Sequence, residues 1–310
     1  MDSIRVFAPA TVANVACGFD IFGLAVDNPG DEVILTRRDD HRIIIQEITG
    51  DGGKLTLDET KNAVSVPIIK YLAHLGLQTG FDIVLHKKMA LGSGLGSSSA
   101  SSVAGIFAAN KLLGEPLSTA QLLPFAMEGE RVACGSAHAD NVAPALMGGF
   151  VVIRSYAPLD VFKIPVPENL YVSLIHPDIE VNTKDARHIL KNEVSMNKAI
   201  SQMGNVSGMV AGLMSSDYGL IGRSMVDFII EPIRSILIPQ FFEVKMAAID
   251  NGALGCSISG AGPSIFAFSE GRETAEKVAA AMKAEFEKVN IQATTYVSTI
   301  NGAGPKILES

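Results

Sequence analysis

An α+β fold is predicted for this 310-residue sequence by two patterns and one bulk property. Segments of strand-like alternation occur in both halves, with amphipathic helical segments among them. Their order departs from the regular strand–helix alternation of a doubly wound sheet. Hydrophobic residues make up 47% and aromatics only 6%, which predicts an aliphatic core large enough to need neither disulfide nor structural metal.

The first 50 residues read as strands at Ile4–Ala8, Asp20–Val26, Glu32–Arg37 and Arg42–Ile48. Between the first two, Pro9 to Phe19 is a loop of small residues; its polar groups are Thr11, Asn14 and the adjoining Asp20. Thr60–Leu75 is an amphipathic helix, with Val64, Ile68, Tyr71 and Leu75 on one face and Thr60 as its cap. Residues 81–87 are a strand by the alternation of Phe81, Ile83 and Leu85. Helices follow at about 97–113, 117–132 and 140–146, then a strand from Phe150. A composition shift between Pro158 and Pro167 predicts a division into residues 1–157 and 158–310. The second part has a strand at Leu170–His176 and helical residues at 184–191, 194–215, 217–237 and 239–251. Strands at Gly255–Ser259 and Ser264–Ser269, a helix at Glu273–Val289 and a strand at Ala293–Ile300 complete the pattern. Met203, Met209, Met225 and Met246 mark an apolar face that is either core or dimer surface, and core is the reading taken.

A net charge of −8, with no basic run longer than Lys87-Lys88 or Arg37-Arg38, argues against a nucleic-acid binder. No apolar run approaches the ~18 residues of a membrane span. Met1 to Arg5 leads straight into VFAPA without a signal-peptide core. The three cysteines, Cys17, Cys134 and Cys256, lack paired spacing. Together these features predict a cytoplasmic setting.

The stretch with the clearest chemistry is MALGSGLGSSSASSVAGIFAAN, Met89 to Asn110. Gly92, Gly94 and Gly96 alternate, then Ser97, Ser98 and Ser99 open a helix. Strand, glycine turn and serine-led helix start make an anion site: the backbone approaches closely, and free N–H groups and the helix dipole favour phosphate. No charged residue lies in this stretch, so phosphate charge falls to backbone dipoles, flanking residues and a metal ion. The lysine of a P-loop is absent, and the third glycine comes one residue early for a dinucleotide fingerprint. The alternative is a tight turn chosen for packing.

A second polar group is EGERVACGSAHADN, in which Glu130, His138 and Asn141 could reach one pocket from a helix and a turn. One glutamate suffices for nucleotide-bound magnesium. A solvated helix face for Glu130 and a structural His138 are the alternatives. Cys134 and His138 lie four apart but lack a second pair at zinc spacing. Arg187 and Arg234 are either surface charges or carboxylate receptors. SISGAGPSIFAF sets Gly260 and Gly262 between apolar strands, as a hairpin or a second backbone approach to a ligand.

Together these residues resemble the GHMP family of small-molecule kinases, and within it the branch that phosphorylates L-homoserine. The match lies in PATVANVACGFDIFGLAVD at 9–27, GSGLGSSSAS at 92–101 and SGAGPS at 259–264, with HADNVAPALMGGF at 138–150 and VNTKDAR at 181–187. One departure is Ala90, where the family usually has proline; Ala does not pre-set φ.

The resemblance implies an N-terminal domain like ribosomal protein S5 domain 2, with a left-handed βαβ unit, and a ferredoxin-like C-terminal domain. It implies ATP as co-substrate, held by Ala90, Leu91, Gly92, Ser93, Gly94, Leu95, Gly96, Ser97, Ser98, Ser99 and Ala100, with Asn62 near adenine and ribose. Ser98 and Glu130 would hold Mg2+. Asn14 and Asp20 would take the homoserine ammonium, and Arg187 and Arg234 its carboxylate, with His138, Thr183 and Gly260 lining the pocket. Asn141 stands where related kinases place an aspartate base, which leaves it to orient the hydroxyl and makes Asp140 the alternative base. The product, O-phospho-L-homoserine, leads to threonine, and a homodimer is expected. Sugar, mevalonate or shikimate acceptors are the nearest alternative and lack an ammonium; a fold-sharing sensor without catalysis is the second.

Overall fold

The structure, a computed structural model, describes residues 2–181 and 183–309; the side chains of Thr183 and Lys184 lie outside that description. In chain order the first elements are β1 (Ser3–Ala13), β2 (Phe22–Arg38), β3 (Ile43–Thr49), α1 (Val66–Leu75), β4 (Gly80–His86), α2 (Ser97–Leu112), α3 (Thr119–Cys134), α4 (Ala139–Met147), β5 (Phe150–Tyr156) and β6 (Leu159–Ile164). Then come β7 (Leu170–Pro177), α5 (Thr183–His188), α6 (Met196–Ser215), α7 (Tyr218–Ser224), α8 (Glu231–Arg234) and α9 (Phe241–Asp250). Last are β8 (Gly255–Ile258), β9 (Ile265–Glu270), α10 (Arg272–Glu287), β10 (Ala293–Thr299) and β11 (Lys306–Glu309).

Two sheets organise these elements. The first runs β11-β1-β2-β4-β3, with β5 on the opening residues of β2 and β6 beside β5. Only β3 and β4, linked through α1, pair in parallel among the described strands. The second sheet, β10-β7-β9-β8, is antiparallel throughout. Helix α2 lies against β1, β2, α3 and α4 and is buried on almost every face. Small side chains make that position possible, because a helix enclosed on all sides needs close approach rather than one apolar stripe. Among the described residues no helix is long and apolar enough to cross a membrane.

Differences from the sequence reading have local causes. The two strands expected at 20–26 and 32–37 are one strand, β2, which is irregular around Asn28-Pro29-Gly30, at the Pro9/Thr11 register shift. Helix α1 starts at Val66 rather than Thr60, with a proline in its first turn where the missing N–H costs nothing. The helix expected over 217–237 breaks because the Asp227 carboxylate accepts the N–H groups of Ile229, Ile230 and Glu231, drawing the backbone off the helical path. The position of the expected division, 157/158, lies in the β5–β6 hairpin of the first sheet. Met209 and Met225 are core as expected, but Met203 and Met246 are exposed.

Candidate active site

The glycine turn and the first turn of α2 form the floor of a cavity of about 450 Å³. Gly92, Gly94 and Gly96 all have left-handed backbone, with φ of 67°, 76° and 69°. At Gly96 the constraint is double: a Cβ would lie 2.0 Å from Thr11 Oγ1 and 2.9 Å from Asn141 Oδ1. Gly96→Ala is therefore expected to destabilise the chain by roughly 1–3 kcal/mol through strain at φ > 0, before any clash is counted. A thermal midpoint equal to that of the native sequence would contradict this geometry.

The same contact organises Asn141. Thr11 Oγ1 donates to Asn141 Oδ1 at 2.7 Å, which turns the amide so that Nδ2 remains to donate elsewhere. Loop 259–264 packs onto the turn from the second sheet: Ser259 Oγ donates to Gly94 O at 2.7 Å, and Ser264 N–H donates to Ser93 O at 3.2 Å. Across the cavity, Ser98 Oγ donates to Glu130 Oε1. Glu130 is 5% exposed on α3. A hydroxyl and a carboxylate oxygen meeting at the phosphate cradle fit magnesium, which takes one or two protein oxygens and fills its shell with phosphate and water.

A second, smaller cavity of about 80 Å³ adjoins the first. Asn14, Phe19, Asp20, His138, Asp140, Arg187 and Arg234 line it, and Glu130, Cys134, Asn141, Gly260 and Ala261 line both cavities. Arg187 grips Asp20 with both arms, Nη1 to Oδ1 at 3.0 Å and Nη2 to Oδ2 at 2.5 Å. This bond to Asp20 holds the Arg187 pKa above its ordinary value. Arg234 is 4% exposed; it donates to Ala186 O at 3.1 Å and Gly260 O at 3.0 Å, and burial lowers its pKa. Both guanidinium groups lie 5.2 Å from the centre of the Phe19 ring, so each makes a cation–π contact with it. Asn14 joins the loops, accepting from Asp20 N–H at 3.1 Å and donating to Gly260 O at 2.9 Å. Asn14, Val15 and Ala16 are all left-handed at 70°, 41° and 60°, so backbone strain concentrates at this wall.

Among the described residues, two buried polar atoms of this cavity have no partner, His138 Nε2 and Asp140 Oδ1. His138 Nδ1 stands 3.9 Å from Asp20 Oδ1, and burial lowers the imidazole pKa. Burial, reinforced by Asp20 and Glu130, lifts the Asp140 carboxyl from 3.8 to about 7. The folded chain thus keeps a proton that the unfolded chain has lost. The associated stabilisation is complete below the unfolded value and disappears as pH rises through about 7. Asp140→Asn should therefore gain thermal midpoint on the native chain between about pH 4 and about pH 8. A difference that did not change with pH would remove the shift.

The sequence-derived residues divide clearly. Leu91, Gly92, Ser93, Gly94, Gly96, Ser97, Ser98 and Asn62 line the larger cavity. Asn62 also closes its own loop, accepting from Val64 N–H at 3.0 Å and donating to Thr56 O at 2.8 Å. Leu95 and Ala100 belong to the hydrophobic core, Ser99 is fully buried and Ala90 faces solvent, so these four support the turn rather than line it. The side chain of Thr183 lies outside the described residues. Phe19, in the smaller cavity, and Lys87, in the larger, are the additions, with Asp31 behind Lys87. Lys87 had a signal, since it continues the inward alternation of Phe81, Ile83 and Leu85.

Residues 62–149 match the GHMP kinases N terminal domain, and residues 209–288 match GHMP kinases C terminal. A homoserine kinase of Chlorobium phaeobacteroides is 51% identical, covering 99% of this chain and 100% of its own. The crystal structure of homoserine kinase from Cytophaga hutchinsonii superposes with a TM-score of 0.98 at 61% identity, over 99% of this chain and 98% of its own. Mevalonate kinase of L. major, crystallised with R-mevalonate, shares the fold at a TM-score of 0.71 and 15% identity, over 95% of each chain.

Proposed function

We infer the reaction from one premise: the chain belongs to the homoserine kinases, a branch of the GHMP kinase family. It transfers the γ-phosphoryl group of ATP to the side-chain hydroxyl of L-homoserine, giving O-phospho-L-homoserine on the way to threonine. The supporting observation is the shared wall between the cavities. Glu130 and Asn141 line both, so a phosphate over the glycine turn and a hydroxyl from the smaller cavity would meet at these two residues.

In this reading the larger cavity holds ATP, with its phosphates at the N–H groups of residues 92–98. Ser98 and Glu130 would hold magnesium, whose charge offsets that of the β and γ phosphates. The smaller cavity suits a zwitterion. Asp20 and Arg187 answer one another's charge when no substrate is present, and homoserine offers each the group it lacks: ammonium to Asp20 with Asn14, carboxylate to Arg187 with Arg234. His138 and Gly260 complete that wall, with Thr183 on the adjoining helix.

Asn141 has its carbonyl engaged by Thr11, so it orients the hydroxyl or the γ-phosphate by donating from Nδ2. It does not remove the proton. The Oδ1 of Asp140, one residue away in the same cavity and without a partner among the described residues, supports a second reading in which Asp140 receives it. If Asp140→Asn folds and loses turnover while Asn141→Ala keeps a measurable rate, Asp140 is the base; the opposite order leaves orientation alone. A cytoplasmic homodimer, the usual form in this family, completes the proposal, and light scattering at twice the chain mass tests the dimer.

The deciding assay is ADP release with magnesium and ATP, comparing L-homoserine with L-serine, L-threonine, mevalonate, shikimate and galactose. Turnover with homoserine alone is expected. Turnover with an acceptor that has no amino group would remove the roles given to Asp20, Arg187 and Arg234.

A further inference from the structure

Beneath the glycine turn lies an ion pair to which the proposed reaction gives no role, although its lysine also lines the larger cavity. Asp31 is fully buried in β2, and the side chain of Lys87, just past β4, is 2% exposed. The two side chains are in direct contact. Asp31 Oδ1 accepts the N–H groups of Lys88 at 2.9 Å and Met89 at 3.3 Å, where the chain enters the turn. Asp31 Oδ2 accepts the hydroxyls of Ser97 at 2.8 Å and Ser101 at 3.3 Å, where the chain leaves it. Lys87 Nζ adds bonds to Ser97 O at 2.8 Å and Ser101 Oγ at 2.7 Å. One buried carboxylate thus ties both ends of a segment with three left-handed glycines.

We propose that Asp31, acting with Lys87, is a positioning residue that holds the phosphate cradle in its binding shape before nucleotide arrives. The proposal rests on the reading of residues 92–98 as the phosphate site. Glycines make this turn possible but leave it free to wander, since they restrict the unbound backbone least. A turn ordered only on binding would charge that ordering against nucleotide affinity; a turn fixed in advance does not. The three N–H donors of Lys87 are all spent on Asp31, Ser97 and Ser101, so its charge is answered inside the protein. The phosphates are then left to the backbone N–H groups that the anchor aims.

Asp31→Asn alone leaves Lys87 as a buried charge without its counterion, which by itself destabilises. The test therefore pairs it with a variant that removes both charges, Asp31→Asn with Lys87→Met, and adds Ser97→Ala, which removes one of the bonds at the exit of the turn from a residue that also lines the larger cavity; the exchange of ligand-free residues 90–98 separates the two effects. ADP affinity is measured by calorimetry, and amide hydrogen exchange over residues 90–98 is followed with and without ADP. The double variant is expected to fold and to bind ADP at least ten times more weakly. It should lose exchange protection at 90–98 in the ligand-free state, recover it under saturating ADP, and keep its KM for homoserine within about twofold. Ser97→Ala should move in the same direction by a smaller factor. Native ADP affinity and native protection of 90–98 in the folded double variant would overturn the proposal. If the double variant does not fold, an unchanged Ser97→Ala overturns it. Failure of the nucleotide reading itself is told apart by the native chain, which would then bind ADP without protecting residues 90–98.

Discussion

Glu130→Gln is expected to lower kcat by about 10²–10³-fold, because the magnesium it would hold is the group that offsets transition-state charge. The substitution keeps the shape of the side chain, and its amide oxygen can still accept from Ser98 Oγ, so the pocket stays packed. What it removes is a negative charge at the point where both cavities meet. Magnesium binding should weaken, seen as a rise in the magnesium concentration that gives half-maximal rate. ADP binding in the absence of metal should stay within about twofold of native, because the backbone cradle is untouched. A fall in kcat of less than tenfold with unchanged magnesium dependence would return Glu130 to an ordinary buried helix residue.

Arg187→Met should raise the KM for L-homoserine by roughly 10- to 100-fold, because charged hydrogen bonds are worth about 1.5–3 kcal/mol each and 1.4 kcal/mol is tenfold. ATP affinity should not change, since Arg187 lines only the smaller cavity. The informative control is 3-aminopropan-1-ol, which keeps the ammonium and the hydroxyl of homoserine but has no carboxylate. The native chain should use it poorly. Arg187→Met should use it at least as well as the native chain, because losing the bidentate grip at 3.0 and 2.5 Å frees Asp20 to meet the ammonium. Equal losses on both substrates would mean that Arg187 acts through the architecture of the pocket and not through the carboxylate.

Residue by residue, the sequence and the tertiary structure contributed different parts of this site. The glycine turn, the helix start at Ser97 and the strand before it were legible because their signals are local. Left-handed φ at alternate glycines and alternation along β4 are written within about a dozen residues. Edge elements were not legible: β6 sits where prolines suggested a boundary, and β11 is a short, exposed strand with no pattern of its own. That Asp20, Arg187 and Arg234 share one pocket was reached through family resemblance, since nothing in their spacing joins Asp20 to an arginine 167 positions away.

By itself the sequence determined an aliphatic α+β chain, a phosphate-binding turn and, through its motifs, membership of a kinase family. Only the tertiary structure decided that Asp20 and Arg187 face each other, that Phe19 carries both arginines and that Asp31 pins both ends of the turn. The reason is physical. Backbone φ, capping and alternation are properties of neighbouring residues, whereas an ion pair or a π-platform exists only once sheet register has brought distant segments within a few ångströms.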